Sequence, residues 1–361
     1  MRTSELEKIL AKRHLDEIIV RGEANLKGLT GLTCDNGILV LSKPPKPSKP
    51  PKPSKPSKPP KPSKPPKPSK PLFYTDFRYI PMVHRLAPKL TCRDIKNFKP
   101  KGLRIGIEFT QSHAAFLELK KSAPRAAEFV DITKDIQAIR MVKTPEEIEK
   151  LRAAEALDCE IWEAARAKFK AGMTEKQMAA IIQKMMIERG EGEAFATIVC
   201  VGKNAAECHH EPDDTVWNGK DPVLVDMGVK LNGVCSDLTR NLVPRSSKLY
   251  RQVYNLVLKA NLAAIKAAKP GMTGKALDKV ARDIIRKGGF GKCFGHSLGH
   301  GVGYEIHEAP TASKKSKEVL KPGNLVTIEP GIYLEDNLGV RIEDLVLITE
   351  TGCEVLSSTA K

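Results

Sequence analysis

The sequence of 361 residues predicts an α+β protein of two domains, and three observations lead to this prediction. The length exceeds what one small hydrophobic core usually serves. Residues 1–140 alternate short helix and strand patterns, which favours an α/β domain. Residues 141–361 contain the same series of helix, turn and strand signals twice, which indicates a second domain made of two related halves.

The N-terminal domain opens with a helix signal. Ser4 and Glu7 have the spacing of a capping box, and the helix is predicted to reach about Lys12. Short apolar segments bounded by turn-forming residues then predict strands. These segments are residues 17–20, 37–41, 72–74 and 103–107.

A tract of only Lys, Pro and Ser interrupts this domain at residues 43–71, between two predicted strands. It has no apolar side chain with which to build a core, so we expect a disordered insertion in a surface hairpin loop. Its lysines recur at every third position and would line one edge of a polyproline II helix. The tract is either an arm for an anionic or Pro-recognising partner, which the sequence does not identify, or an expanded loop without a role.

The tract also accounts for most of the positive charge. Without its ten lysines the net charge falls from +17 to +7, so a nucleic-acid partner is not expected. No stretch reaches the roughly 20 apolar residues of a membrane span, and the charged N-terminus lacks the apolar core of a signal peptide. The eight cysteines form no C-x-x-C pair. We therefore expect a cytoplasmic protein with reduced thiols.

Helix signals define the internal duplication in the C-terminal domain. Residues 144–147 combine a cap, a Pro at the first helical position and a capping-box Glu, which predicts a helix to about Lys170. A Gly-Met-Thr turn at residues 172–174 opens a further helix, and the same turn recurs 99 residues later at 271–273. The two helices after these turns are predicted to end at Gly190 and near Gly288.

Each half also places two acids in one pattern. An acid ends or follows an apolar run, a Gly comes two residues later, and a second acid lies four residues after the Gly of a Gly-Val pair. Such runs predict paired strands joined by a turn. Buried ionised carboxylates are costly unless cations balance them, so four of them predict a metal site and a metallohydrolase. The acids are Asp226 and Asp237 in the first half and Glu329 and Glu343 in the second.

Five of the eight histidines lie in two short segments. His296, His300 and His307 belong to a glycine-rich stretch, and His209 follows Cys208 and precedes His210. Neutral imidazole is the commonest metal ligand in proteins and carries protons near neutral pH. Carboxylates with an imidazole suit Mn, Co or Zn better than a thiolate set would.

With these motifs the chain resembles the pita-bread metallopeptidases (peptidase M24), and within them the proline-specific branch of Xaa-Pro aminopeptidase (aminopeptidase P) and prolidase. The resemblance covers nearly the whole chain, including Leu29-Thr30-Gly31 and residues 73–79 of a creatinase-type N-terminal domain. It implies a creatinase-type α/β domain over residues 1–140, followed by a pita-bread catalytic domain of two pseudo-twofold related halves over 141–361.

The resemblance further implies two divalent metal ions, most simply Mn, with Co or Zn as alternatives. Asp226 would bind one ion, and His300 with Glu329 the other. Asp237 and Glu343 would bridge both ions.

A hydroxide between the ions would, by the same resemblance, attack the carbonyl carbon of an Xaa-Pro bond. Glu329 would carry the proton, and His307 would steady the oxyanion. Cys208 stands where the family usually has Pro. The remaining implied site residues are His209 (or its neighbour His210), His296 and Arg341.

The leading interpretation is an aminopeptidase that releases the residue before Pro. The alternative is a dipeptidase for Xaa-Pro (prolidase), which differs in capturing a free C-terminal carboxylate. A methionine aminopeptidase is disfavoured because of the N-terminal domain and His296, and a metal-free creatinase relative because all ligand positions are filled. A non-catalytic pita-bread module with a basic arm is a further alternative. The family often forms dimers, so we expect a homodimer.

Overall fold

A computed structural model of the protein describes residues 2–44, 70–243 and 247–361. The chain divides into two compact units, Met1–Ile139 and Arg140–Lys361. Within the described ranges, no helix is both long enough and apolar enough to cross a membrane. All eight cysteines are free thiols. Most of the Lys/Pro/Ser tract, residues 45–69, lies outside the described residues. The expectation that the tract is disordered therefore stays a prediction.

The N-terminal unit is built on one six-stranded sheet. Its elements are α1 (Thr3–Lys12), β1 (Glu17–Val20), α2 (Glu23–Thr30), β2 (Ile38–Ser42), β3 (Leu72–Thr75), α3 (Ile80–Leu86), β4 (Thr91–Asp94), β5 (Arg104–Ile107), α4 (His113–Ser122), β6 (Glu128–Asp131) and α5 (Thr133–Met141). The strand order is β4-β3-β2-β1-β5-β6. Every residue of β1 is buried, as expected of a central strand that has neighbours on both edges. Strands β2 and β3 pair antiparallel, so the chain that carries the tract does join the two strands of a hairpin.

The C-terminal unit contains four long helices and several small antiparallel sheets. Its elements are α6 (Pro145–Arg166), α7 (Glu175–Arg189), β7 (Ile198–Val201), β8 (Val223–Met227), β9 (Lys230–Leu231), β10 (Val234–Cys235), β11 (Leu238–Leu242), α8 (Lys248–Ala267), α9 (Gly274–Lys287), β12 (Gly299–Gly301), β13 (Glu308–Ala312), β14 (Leu325–Ile328), β15 (Gly331–Leu334), β16 (Leu338–Arg341), β17 (Asp344–Ile348) and β18 (Cys353–Val355).

The duplication predicted from the sequence is present in the strand pairing. In the first half, β8 is followed by the β9–β10 hairpin, and β11 then returns to pair with β8. In the second half, β14 is followed by the β15–β16 hairpin, and β17 then returns to pair with β14. Each half has its own apolar core, one around α6 and α7 and the other around α8 and α9.

Helix α6 begins where the sequence predicts but ends earlier. The Thr144 hydroxyl accepts a hydrogen bond from the Glu147 backbone N–H, and the Glu147 carboxylate accepts one from the Thr144 backbone N–H, which completes the capping box. The helix ends at Arg166 and not at Lys170, so that part of the prediction is wrong. The chain turns there because Phe169 packs into the core of the first half, where it is buried.

Candidate metal centre and substrate cavity

The first pair of acids lies on neighbouring antiparallel strands. Asp226 lies in β8, and Asp237 comes directly before β11. The register places Thr239 of β11 opposite Asp226. Because paired strands are about 4.8 Å apart, both carboxylates lie at the same end of this small sheet.

The second pair of acids repeats this placement. Glu329 directly follows β14 and Glu343 directly precedes β17. These strands pair with Ile328 opposite Asp344. Each half therefore presents two acids from the ends of adjacent strands, with a short hairpin between them.

Acids from both halves converge on one imidazole. Ligand atoms of Asp237, His300 and Glu343 all lie within 4.8 Å of one another. His300 Nε2 is 3.5 Å from Asp237 Oδ2 and 3.4 Å from Glu329 Oε1. Residues from three separate stretches of the chain are brought together here.

A cavity of about 430 Å³ opens over this cluster. Its wall includes the loop after β7 as well as the strand ends. All nine site residues expected from the sequence line it: His209, Asp226, Asp237, His296, His300, His307, Glu329, Arg341 and Glu343.

The buried acids are strongly perturbed. Burial raises the pKa of Asp237 well above its usual value, and the neighbouring Glu343 and Asp226 raise it further. Burial also raises the pKa of Glu343, with Glu329 and Asp226 adding to the effect. Burial raises the pKa of Glu329 to about 8, although Arg341 opposes the shift. Several negative charges share a water-poor space, which is the condition that bound cations relieve.

The orientation of His300 suits a cation. Its Nδ1 is 3.1 Å from the backbone oxygen of Gly301. Because a carbonyl oxygen only accepts hydrogen bonds, Nδ1 carries the proton and the lone pair of Nε2 faces Asp237 and Glu329. Burial lowers the pKa of His300 to about 4, so the ring stays neutral at pH 7. A lone pair directed at two carboxylates is a favourable arrangement when a metal ion lies between them.

Asp226 supplies a further observation that fits a metal. Its Oδ2 accepts a hydrogen bond of 2.6 Å from Arg341 Nη2. Its Oδ1 is buried and has no hydrogen-bond partner among the described residues. An orphaned carboxylate oxygen of this kind is rare in native proteins, and a bound ion is one of its explanations. The residues present can therefore hold divalent ions.

Arg341 connects the two halves. Besides Asp226, its Nε donates to Thr239 Oγ1 at 3.1 Å, and the same hydroxyl donates to Glu343 Oε2 at 2.7 Å. Its Nη1 donates to the hydroxyl of Tyr333 at 2.8 Å. Thr239 and Tyr333 were not among the residues expected from the sequence. The alternation of β15 could have indicated Tyr333, because it lies on the same face as Gly331, the residue opposite Arg341.

His296 is the end of this network. Its Nδ1 is 2.8 Å from the backbone oxygen of Ser297 and therefore carries the proton. Its Nε2 then accepts from the hydroxyl of Tyr333 at 2.9 Å. Burial, with help from the charge of Arg341, lowers the pKa of His296 to about 4.

The other histidines have different surroundings. The rings of His300 and His307 are 4.4 Å apart, edge to face. His307 precedes Glu308, a buried carboxylate that is ion-paired with Lys143 at 2.7 Å and also with Arg140. His209 is exposed at the cavity wall.

His210, the alternative to His209, also lines the cavity. Its Nε2 is 2.7 Å from Glu175 Oε2, away from the candidate metal ligands.

Comparison with known proteins places this site in a family. The sequence model described as Metallopeptidase family M24 matches residues 149–350. A protein named Xaa-Pro dipeptidase from Pyrococcus furiosus is 43% identical over 263 residues, which cover 71% of this chain and 74% of that protein.

Solved structures agree over almost the full length. The prolidase from Pyrococcus furiosus has a TM-score of 0.86 and 33% identity, covering 98% of this chain and 99% of its own. The X-Pro aminopeptidase from Thermotoga maritima has a TM-score of 0.82 and 30% identity, covering 99% and 98%. The fold is thus the pita-bread fold with an N-terminal domain before the catalytic domain. The chain belongs to metallopeptidase family M24, among relatives that are named for Xaa-Pro specificity.

Proposed function

We propose that the protein hydrolyses Xaa-Pro peptide bonds with two divalent metal ions, and that Xaa-Pro dipeptides are its substrates. The convergence of Asp237, His300, Glu329 and Glu343 under one cavity carries the metallopeptidase proposal. The dipeptide follows from the names of the Pyrococcus furiosus relatives. Those names favour the dipeptidase over the aminopeptidase that the sequence first suggested.

The proposed ligand set has five members. Asp226, with its unpartnered Oδ1, would hold one ion, and His300 with Glu329 would hold the other. Asp237 and Glu343 would bridge them. Four carboxylates and one imidazole favour Mn, with Co or Zn as alternatives.

When bound, the ions would supply a water of lowered pKa as the nucleophile. Glu329 would carry the proton of this water to the leaving nitrogen of Pro. His307, beside His300, would donate a hydrogen bond to the oxyanion.

Other residues of the cavity would orient the substrate. Arg341 fixes Asp226 through a short ion pair and holds Tyr333, which in turn holds His296. The ring of His296 would then face the substrate in one fixed orientation. His209 would contact the substrate from the exposed side of the cavity.

A specific observation favours an aminopeptidase as the second candidate. Among the described residues that line the cavity, Arg341 is the only Arg or Lys. Its guanidinium is already engaged by Asp226, Thr239 and Tyr333. A dipeptide would therefore leave its C-terminal carboxylate without a spare fixed cation, whereas a longer peptide has no carboxylate at that point.

The deciding experiment compares matched peptides on metal-stripped protein with and without added Mn. Arg-Pro, Arg-Pro-Pro and Arg-Pro-amide share the residue before Pro and differ only in the group attached to the Pro carbonyl. We expect Mn-dependent release of Arg, fastest from Arg-Pro. Faster release from Arg-Pro-Pro and the amide would move the assignment to the aminopeptidase.

The controls are Arg-Ala and the variant Asp237→Asn. Asn keeps the shape of Asp237 but lacks its charge, so we expect it to bind Mn at least about 100-fold more weakly, since outer-sphere partners alone cost 10–100-fold. Hydrolysis of all three Pro peptides by Asp237→Asn at the wild-type rate would contradict the proposal. The homodimer and the cytoplasmic location stay predictions, to be checked by light scattering and by fractionation.

A further inference from the structure

One buried carboxylate holds both ends of the loop that brings His209 to the cavity. Glu175, the first residue of α7, is completely buried. Each of its oxygens accepts two hydrogen bonds. The donors are Val201 N at 2.6 Å and Asn204 Nδ2 at 2.9 Å on one oxygen, and His210 Nε2 at 2.7 Å and Asp213 N at 3.0 Å on the other.

These bonds span the whole segment 201–213. Two donors lie at its start and two at its end, so the segment closes on Glu175 as a loop. His209 lies next to the anchored His210 and lines the cavity. The backbone oxygen of Cys208 also accepts a longer bond, of 3.4 Å, from Arg341. The loop is thus fixed on one side to α7 and touches the site network on the other.

The position of Glu175 at the start of α7 suits an ionised carboxylate that fixes the loop. The N-terminus of a helix stabilises a negative charge, and hydrogen bonds to an ionised group are about twice as strong as neutral ones. A buried carboxylate that loses donors pays a large desolvation penalty. The loop therefore has a strong preference for the conformation in which all four donors reach Glu175.

His210 makes this anchor dependent on pH. Burial is the largest single influence and acts to lower its pKa, but the hydrogen bond and the charge of Glu175, together with Glu207 and Asp213, leave the pKa raised. Two further acids face the ring, Glu207 with Oε2 at 3.5 Å from Nδ1, and Asp213. Because the pKa is raised by folding, the charged pair is complete at low pH and is lost as the pH rises through the raised pKa.

The same three residues could suggest a second metal site, since ligand atoms of Glu175, His210 and Asp213 lie within 4.8 Å of one another. Both oxygens of Glu175 are already occupied by hydrogen-bond donors. A cation would have to displace those donors, so the arrangement is a hydrogen-bonded anchor.

We propose that Glu175 and His210 are positioning residues that set the substrate affinity of the cavity by fixing the loop that carries His209. Neither residue belongs to the candidate metal ligands, so the pair acts on substrate binding and not on metal content. The kinetic part of this inference rests on the proposed Xaa-Pro hydrolysis.

The test uses the full chain loaded with Mn and the variants His210→Ala and His210→Gln. For His210→Ala we expect KM for the preferred Arg-Pro peptide to rise about 10-fold, equivalent to about 1.4 kcal/mol, with kcat within about twofold and an unchanged Mn content. Gln retains a donor for Glu175, so His210→Gln should restore most of the affinity. It should also remove the rise of KM with pH that His210 confers on the wild type between pH 6 and 8.5. Lys176→Met is the control, since it breaks only the exposed Lys176–Asp214 pair beside the anchor.

Amide hydrogen exchange over residues 201–213 gives a readout that needs no activity. We expect exchange there to become about 10-fold faster in His210→Ala than in the wild type and the control. If the wild type cleaved no Xaa-Pro peptide, the proposed function would fail while this measurement still tested the anchor. Unchanged KM and unchanged exchange in His210→Ala would overturn the inference, and so would loss of Mn with a lower kcat.

Discussion

The two halves of the catalytic unit use one duplicated position in opposite ways. Thr174 and Thr273 each cap the helix after them, and each forms an isolated bridge, with Val216 and Val319 respectively. The next residue differs between the halves. In the first half it is Glu175, whose side chain reaches the His209 loop.

In the second half the equivalent residue is Gly274, which is buried and lies against the backbone oxygen of Thr311. A Cβ at Gly274 would lie 2.0 Å from that oxygen, so no side chain fits. The second half places its anchoring carboxylate in the histidine segment itself, as Glu308 next to His307, held by Arg140 and Lys143.

This difference shows what a duplication preserves. The strand–hairpin–strand unit and the acids at its ends recur, because paired strands and Gly turns depend on local sequence. The segments that carry histidines have diverged in length, register and anchoring. The imidazole that joins the acids, His300, comes from the second half alone.

The largest effect on stability is expected at Glu308. Glu308→Gln removes the charge that balances Arg140 and Lys143, which are both buried. Breaking a buried ion pair from one side costs about 3–5 kcal/mol, and we expect this loss in urea unfolding together with weaker turnover through His307. Glu305→Gln is the matched control, since Glu305 is 57% exposed and also pairs with Arg140. Equal losses in both variants would refute the assigned role of Glu308.

A smaller loss is expected when the duplicated position in the second half gains one methyl group. In Gly274→Ala the new Cβ meets the Thr311 oxygen and the Ser316 hydroxyl, at 2.0 and 2.7 Å. Overpacking typically costs about 1–3 kcal/mol, which exceeds the roughly 1 kcal/mol that Ala gains over Gly in a helix. Thermal unfolding should show the difference, with Gly352→Ala as the control because no atom lies within 4 Å of its Cβ. A stabilised Gly274→Ala protein would show that β13 can move away at little cost.

The last effect is a dependence of stability on pH and concerns the acids themselves, which also differ between the halves. Asp226 is ion-paired with Arg341, whereas among the described residues the Glu329 carboxylate accepts one hydrogen bond, from the Thr327 hydroxyl at 3.1 Å. The pKa of Glu329 is raised to about 8, so its contribution to the stability of metal-free protein is complete at acidic pH. That contribution is lost as the pH rises to 8, with a slope of at most about 1.4 kcal/mol per pH unit.

Urea unfolding of EDTA-treated protein at pH 5 to 8 measures this slope. We expect Glu329→Gln to flatten it and added Mn to reverse it in the wild type. Identical slopes for the wild type and Glu329→Gln would place the titrating group elsewhere.

Much of the fold could be predicted from the sequence because its determinants are local. The caps at Thr144 and Thr174, the Gly turns and the apolar runs around the acids all lie within a few residues of the elements they define. The repeated spacing of the Gly-Met-Thr turns and of the acids also indicated that the catalytic domain consists of two related halves. The resemblance to family M24 then identified the acids and histidines that line the cavity.

The sequence by itself determined the starts of the helices capped by Thr144, Thr174 and Thr273, the strand–hairpin–strand repeat and the identity of the acids. The capping box expected at Ser4 is wrong, because α1 begins at Thr3 with Arg2 as its N-cap residue. The tertiary structure alone decided which partner each side chain meets. Tyr333 between Arg341 and His296, and Glu175 under His210, are contacts between residues 8 to 37 positions apart in the chain. The early end of α6 at Arg166 has the same origin, because a buried position for Phe169 outweighs helix propensity. Local patterns specify elements, whereas hydrogen-bond partners and burial depend on how distant segments pack.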